Sequence, residues 1–212
     1  MIVTIFGATG MVGKELIVHC QAKGYQIRAF GRNIEKLIDE DLRDNNFEAI
    51  KGSVFDADDI LNAITGADAV LTALGGALDG RDFTRSLGVK NIVTQMEKAG
   101  VKRIISIGGK GILNIDAETF DLEMDSTDYP QQYLPVAGEH LKAYQSLADS
   151  GLDWTFVCPP DIIDAPANGK FETKASSSTG GSNISAGNLA LFMVVELTKN
   201  EFVKEKVSIS NT

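Results

Sequence analysis

Two cysteines in 212 residues, Cys20 and Cys158, are too few for a disulfide framework, so a reducing compartment and a cytoplasmic location are expected. No stretch approaches the roughly 20 uncharged apolar residues that a membrane helix needs. Bases are fewer than acids: 20 Lys and Arg stand against 29 Asp and Glu, a net charge of −9. An acidic surface repels phosphate backbones at long range and no basic patch offsets it. Neither nucleic acid nor a membrane is therefore an expected partner. No Pro- or Gly/Ser-rich linker divides the chain and no long-period repeat appears, which leaves one domain over residues 1–212. The opening MIVTIFGATG has no basic n-region and runs straight into structure, so no signal peptide is expected. His, Cys, Asp and Glu nowhere cluster at metal-ligand spacing, and no metal is expected. The hydrophobic fraction of 43% and the charged fraction of 23% are those of a globular protein and exclude a disordered one.

Short apolar runs alternate with amphipathic ones. The runs at 2–6, 26–30, 48–51, 69–73 and 103–107 read as strands, apolar on both faces. Helical patterns lie at 11–23, 34–40, 57–65 and 82–99. A further helix at 139–150, a strand at 154–158 and a late helix at 186–198 extend the scheme. Strands buried on both faces and separated by helices imply a parallel sheet with helices on each side, an α/β Rossmann-type doubly wound fold. Two segments break the rhythm and are expected as loop insertions. Residues 114–136 carry six acids (Asp116, Glu118, Asp121, Glu123, Asp125 and Asp128) and no base. Residues 159–185 contain the Ser/Thr/Gly run 176–182. Each follows a strand at the sheet edge where open α/β proteins bind ligands, and their length suggests lids.

Gly7-Ala8-Thr9-Gly10-Met11-Val12-Gly13 joins the first strand to the first helix with the spacing G-x-x-G-x-x-G. Gly7 allows the tight turn, Gly10 a close approach to a pyrophosphate, and Gly13 the packing of helix on sheet. The helix N-terminus offers free N–H groups to phosphates. The alternative is a glycine-rich turn without a ligand. After the second strand a site for NAD places an acid that bonds the ribose 2′-OH; here stand Gly31, Arg32 and Asn33. Arg32 can pair with a 2′-phosphate and Lys36 can add a second charge, which favours NADP; otherwise both are solvated helix-start residues. Gly52, Ser53 and Val54 should border the adenine, and Leu74, Gly75 and Gly76 the nicotinamide-side ribose.

GATGMVGKEL, the strand end GR, and GLDWTFVCPPDI followed by ISAGNLALFMVVEL together resemble the atypical short-chain dehydrogenase/reductase superfamily. More narrowly, the chain resembles its NmrA-like and biliverdin reductase B/NADPH-flavin reductase branch. That resemblance implies cofactor contacts at Gly7, Thr9, Gly10, Met11, Val12, Arg32, Lys36, Ser53, Val54, Leu74 and Gly75. It places Ile107, His140, Pro159, Pro160, Asp161 and Ile162 near the nicotinamide. Members of the branch reduce flavins or linear tetrapyrroles with NADPH, or bind the cofactor as sensors. Three positions depart from the pattern: Ser53 stands for an adenine-side acid, Gly108-Gly109 for a Ser or Thr, and Asp161 for a residue often His in the reductase.

Most short-chain dehydrogenases protonate an alkoxide with a Tyr activated by a Lys four residues on. Four residues after Tyr25, Tyr129, Tyr133 and Tyr144 stand Ala29, Tyr133, Ala137 and Ala148. The aligned pair is Val136 and His140, so a carbonyl reductase or sugar epimerase of the usual kind lacks its general acid. Flavin reduction does not need one, because the ring delocalises the added charge. Gly108 and Gly109 would form a floor for a flat substrate, or simply pack closely. Lys110 would offset charge on the reduced ring, or face solvent. His140 would be a donor at a helix start, or bond to backbone. Asp161 would donate a proton only if burial raised its pKa. His19 should be structural and Cys158 should pack rather than react. The expected function is hydride transfer from NADPH to a small flat conjugated acceptor, a free flavin serving as substrate and not as bound cofactor. The alternative is a non-catalytic NADP(H)-binding sensor acting through a protein partner.

Overall fold

The computed structural model of the protein describes residues 1–38, 40–77, 79, 81–116 and 119–212. Its elements run β1 (Ile2–Phe6), α1 (Met11–Ala22), β2 (Gln26–Gly31), α2 (Ile34–Leu37), β3 (Phe47–Lys51), α3 (Ala57–Ile64), β4 (Ala69–Thr72) and α4 (Thr84–Ala99). They continue with β5 (Arg103–Ile107), α5 (Leu134–Ala148), β6 (Asp153–Cys158), β7 (Asp161–Ile163), β8 (Phe171–Ala175), β9 (Asn183–Ser185), α6 (Ala186–Lys199) and β10 (Glu205–Asn211). Eight strands form one sheet in the order β3-β2-β1-β4-β5-β6-β10-β8, parallel throughout except that β8 runs against β10. This is the Rossmann-type α/β fold expected.

Period-two burial builds two cores, one on each face of that sheet. In β1, Val3 and Ile5 face a core with Leu16 and Ile17 of α1 and Leu189 and Met193 of α6. Phe6 faces the opposite way, into a core with Ile60 of α3, Ile92 of α4 and Leu147 of α5. β4 splits likewise, Leu71 to the first core and Val70 to the second. Ile5 of β1 pairs with Ala29 of β2 on one side and Leu71 of β4 on the other. The chain therefore leaves β1 in both directions, and the crevice beyond the carboxyl ends of β1 and β4 is where such a sheet takes a ligand.

Four expectations change. The helix expected at 34–40 ends at Leu37, and Arg43 Nη2 caps it by donating to the carbonyl oxygens of Glu35 and Ile38, the latter at 2.9 Å. α5 begins at Leu134 and not at 139, because Pro135 sits in the first turn, where no N–H partner is lost. Residues 159–185 are not one loop, since β7 and β9 pair with each other and β8 closes the sheet. Strand β10, unanticipated, inserts beside β6. Segment 114–136 is held by bridges from Asn114 to Leu122 and Ser177. Its Glu118 lies outside the described residues. No helix among the described residues is long and apolar enough to cross a membrane.

Candidate functional site

Gly7 leaves β1 with φ +80, and its carbonyl oxygen accepts from Gly10 N–H at 3.1 Å. A Cβ there would fall 2.6 Å from Ala73 C, and one on Gly13 would fall 2.7 Å from Ala8 Cα. Backbone thus meets backbone on both sides of the turn, which is why glycine occupies these positions. Gly10 is the N-cap of α1, yet no side chain caps that helix and no acid occupies its first turn. Its leading N–H groups and positive dipole end are left to an anion, so the turn fits a dinucleotide pyrophosphate.

In front of the turn lies a cleft of about 220 Å³. The turn contributes Gly7, Thr9 and Gly10; the end of β2 contributes Phe30, Gly31 and Arg32; and the end of β3 contributes Gly52, Ser53, Val54 and Phe55. Ala73, Leu74 and Gly75 after β4 close the far side with Thr84 of α4. The structure thereby brings together Gly7, Thr9, Gly10, Arg32, Ser53, Val54, Leu74 and Gly75 of the sequence candidates. Met11 stands exposed beside the cleft, Val12 is buried in the α1 and α6 core, and Lys36 is exposed on α2. Phe30, Phe55 and Thr84 were missed. Their signal was position alone, each lying next to a strand end or helix start. Ser53 has an acid at hand after all: Asp59 of α3 accepts from Ser53 N–H at 2.9 Å.

Next to β4 in the sheet is β5, and Gly108 and Gly109 follow its end. His140 lies in the middle of α5 and not at its start, and its ring rests on Gly109, where an added Cβ would fall 2.8 Å from Cδ2. Its Nδ1 is buried with no hydrogen-bond partner among the described residues, so it is not bonded to backbone there. Burial, and then the charge of Arg85, pull its pKa down to about 3, so the imidazole is neutral at pH 7. Gly108 packs closely on the neighbouring strand, where a Cβ would fall 2.8 Å from Phe156 Cδ1. Lys110 does not face solvent alone; its Nζ pairs with Glu123 Oε2 at 3.4 Å. Burial pushes the Glu123 carboxyl up, against the pull of Lys110. Tyr129 stands nearby, its phenol pushed up by burial and by Glu123, the opposite of an activated proton donor. Asp161 is exposed on β7, so the burial that a proton donor would need there is missing. Ile107 and Ile162 are half-buried against the first core, and Pro160 is half-buried beside Asp161. Cys158 is fully buried, and burial pushes its thiol up to about 12.

The family described as NAD(P)H-binding matches residues 7–200 of this chain. The YwnB protein of Bacillus subtilis is 28% identical over 220 residues, covering 99% of this chain and 98% of its own. A solved structure from Streptococcus pneumoniae, provisionally described as an NADH-flavin reductase, is 27% identical with a TM-score of 0.84 and full coverage of both chains. Another from Burkholderia pseudomallei, provisionally described as an exported protein, is 30% identical with a TM-score of 0.83, covering 99% of each chain.

Proposed function

The chain belongs to the NAD(P)H-binding family, and on that premise we propose that it is an NADPH-dependent oxidoreductase whose acceptor is a flat conjugated molecule, a free flavin first. Within the superfamily it would then fall in the NmrA-like and flavin reductase branch. The bound dinucleotide would supply the hydride. The residues of this chain would hold its pyrophosphate at Gly7–Gly10 and the uncapped start of α1, its adenine side between Arg32 and Ser53, and its nicotinamide side at Leu74 and Gly75. Arg32 in the cleft wall, with no acid at the end of β2, supports NADPH over NADH.

One observation carries the choice of acceptor. Where a carbonyl reductase has its lysine, this chain has His140, neutral and pressed against Gly109. Where it has its tyrosine, this chain has Val136. An alkoxide forming there would find no proton, whereas a ring that delocalises its new charge needs only close stacking, at about 3–3.5 Å. The S. pneumoniae neighbour's description agrees with that acceptor class. The test is anaerobic oxidation of NADPH by FMN or riboflavin, followed by loss of nicotinamide absorbance, with NADH run in parallel. Saturable turnover that prefers NADPH is expected. Tight NADP⁺ binding without turnover of either flavin would refute the reductase.

A further inference from the structure

One cation stands between the loop after β4 and the end of β5. Arg85, in the first turn of α4, donates from Nη2 to Gly76 O at 2.8 Å and from Nη1 to Ala77 O at 3.0 Å. Its chain neighbour Thr84 lines the cleft, and so does Gly75, the residue before the first of those carbonyls. The guanidinium also lies close enough to His140 for its charge to oppose protonation there, and that ring rests on Gly109. Arg85 thus touches or faces all three elements that meet at the acceptor end: the β4 loop, α4, and the contact of α5 with β5.

Asp82 and Glu139 lie near enough to act on the charge of Arg85, but neither forms an ion pair with it among the described residues. Arg85 is half-buried, and a cation in the first turn of a helix opposes the helix dipole. That turn of α4 contains no acid. Among the described residues no carboxylate lies within ion-pair distance of it. Asp82 is occupied by the N–H groups of Ala77 and Thr84, and Glu139 by Ser86 and Lys142. The two carbonyl bonds use two of the five donors of a guanidinium and add no negative charge. A partly desolvated guanidinium with spare donors and no carboxylate paired to it among the described residues is complementary to a carboxylate or phosphate arriving from outside.

The geometry points to Arg85 as a specificity-determining residue that reads a phosphate monoester on the hydride acceptor, so that the preferred flavin is FMN and not riboflavin. This inference rests on the flavin reading of the site, with the ring at Gly109 and the tail turned toward the start of α4. Riboflavin has the same ring and an uncharged tail, and it isolates the contribution of the phosphate.

The experiment compares FMN with riboflavin on the wild type, Arg85→Gln and Arg85→Lys. It measures anaerobic NADPH oxidation and, separately, binding of each flavin to the NADP⁺-loaded protein by quenching of flavin fluorescence. One charge-assisted contact corresponds to a preference of about tenfold or more for FMN in kcat/KM. It should sit in KM and shrink with added salt. In Arg85→Gln the FMN-to-riboflavin ratio should fall toward one, with Arg85→Lys keeping part of it. Because the readout is a ratio on one protein, a variant that is partly unfolded still reports it. Equal kcat/KM for the two flavins in the wild type overturns the inference. So does a ratio that Arg85→Gln leaves intact, or a loss that falls on the KM for NADPH instead. If neither flavin accepts hydride, the reductase reading fails and binding decides the inference. Tighter FMN binding that Arg85→Gln abolishes upholds the anion site, and equal binding overturns it.

Discussion

Arg32→Ala is the sharpest probe of cofactor choice. Arg32 stands exposed at the end of β2, lines the cleft, and has no hydrogen bond or ion pair among the described residues. Its guanidinium is therefore available to a 2′-phosphate without breaking another contact. A hydrogen bond to a charged group contributes about 1.5–3 kcal/mol. Solvent and salt screen an exposed pair, so the lower end applies, about 1.5 kcal/mol. That is roughly a tenfold weakening of NADP⁺ binding. NAD⁺ has no phosphate at that position and should change much less, so the ratio of the two dissociation constants falls by about ten. Calorimetric titration of both dinucleotides at low and moderate ionic strength measures it, and the wild-type ratio should itself decline with salt. Lys36→Ala should move the ratio less, since Lys36 lies outside the cleft. Equal weakening of both dinucleotides by Arg32→Ala would show that the residue supports the turn and does not read the phosphate.

Gly13→Ala puts a Cβ 2.7 Å from Ala8 Cα; overpacking of this kind costs about 1–3 kcal/mol. It should lower Tm by several degrees and weaken dinucleotide binding as the turn is pushed off α1; an unchanged melting curve would contradict the close approach. Glu196→Leu strands the largely buried Arg103, which pairs with Glu196 Oε1 at 3.2 Å. Breaking such a pair costs about 3–5 kcal/mol, and adding Arg103→Met should recover most of it; denaturant midpoints of the single and double variants decide. His140, held near 3 against an ordinary 6.5, binds a proton in the unfolded chain before it does so in the folded one. Stability therefore falls as pH drops below about 6.5, with a limiting slope of about 1.4 kcal/mol per pH unit. His140→Gln should flatten the profile between about pH 6.5 and 5, above most carboxylate titrations; a profile identical to wild type would place the imidazole in solvent.

What could be read from the chain alone follows from the range of the interactions involved. Strands β1 to β5 were legible to within a residue or so: β1, β4 and β5 are short apolar runs buried on both faces, while β2 and the edge strand β3, of which no residue is fully buried, were legible from their place between helical patterns. The G-x-x-G-x-x-G turn was legible because strand, glycines and helix are contiguous. β10 was not. Lys206, Ser208 and Ser210 are polar residues buried within it, and what makes their burial tolerable lies far off in the sequence. Lys206 Nζ donates to Ile112 O at 2.8 Å and to Asn114 Oδ1 at 2.7 Å, while Thr179 N–H donates to Ser208 Oγ at 3.1 Å. Those same bonds tie the acidic segment 114–136 and the serine run 176–182 to the sheet, so the two expected lids are anchored by the strand that went unread. The proposed acceptor side shows the same limit. Gly108 is explained by Phe156 on the neighbouring strand, Lys110 by Glu123, and His140 by Gly109 and Arg85. Arg85 sits in an ordinary helical pattern, and only the return of the β4 loop and the packing of α5 set its guanidinium against Gly76, Ala77 and His140. A pyrophosphate is bound by backbone that one stretch of chain can provide, whereas an acceptor is recognised by side chains that converge from separate elements. The glycine turn proposed for the pyrophosphate was therefore written locally, whereas the rest of the cleft and the proposed acceptor side were assembled by the fold.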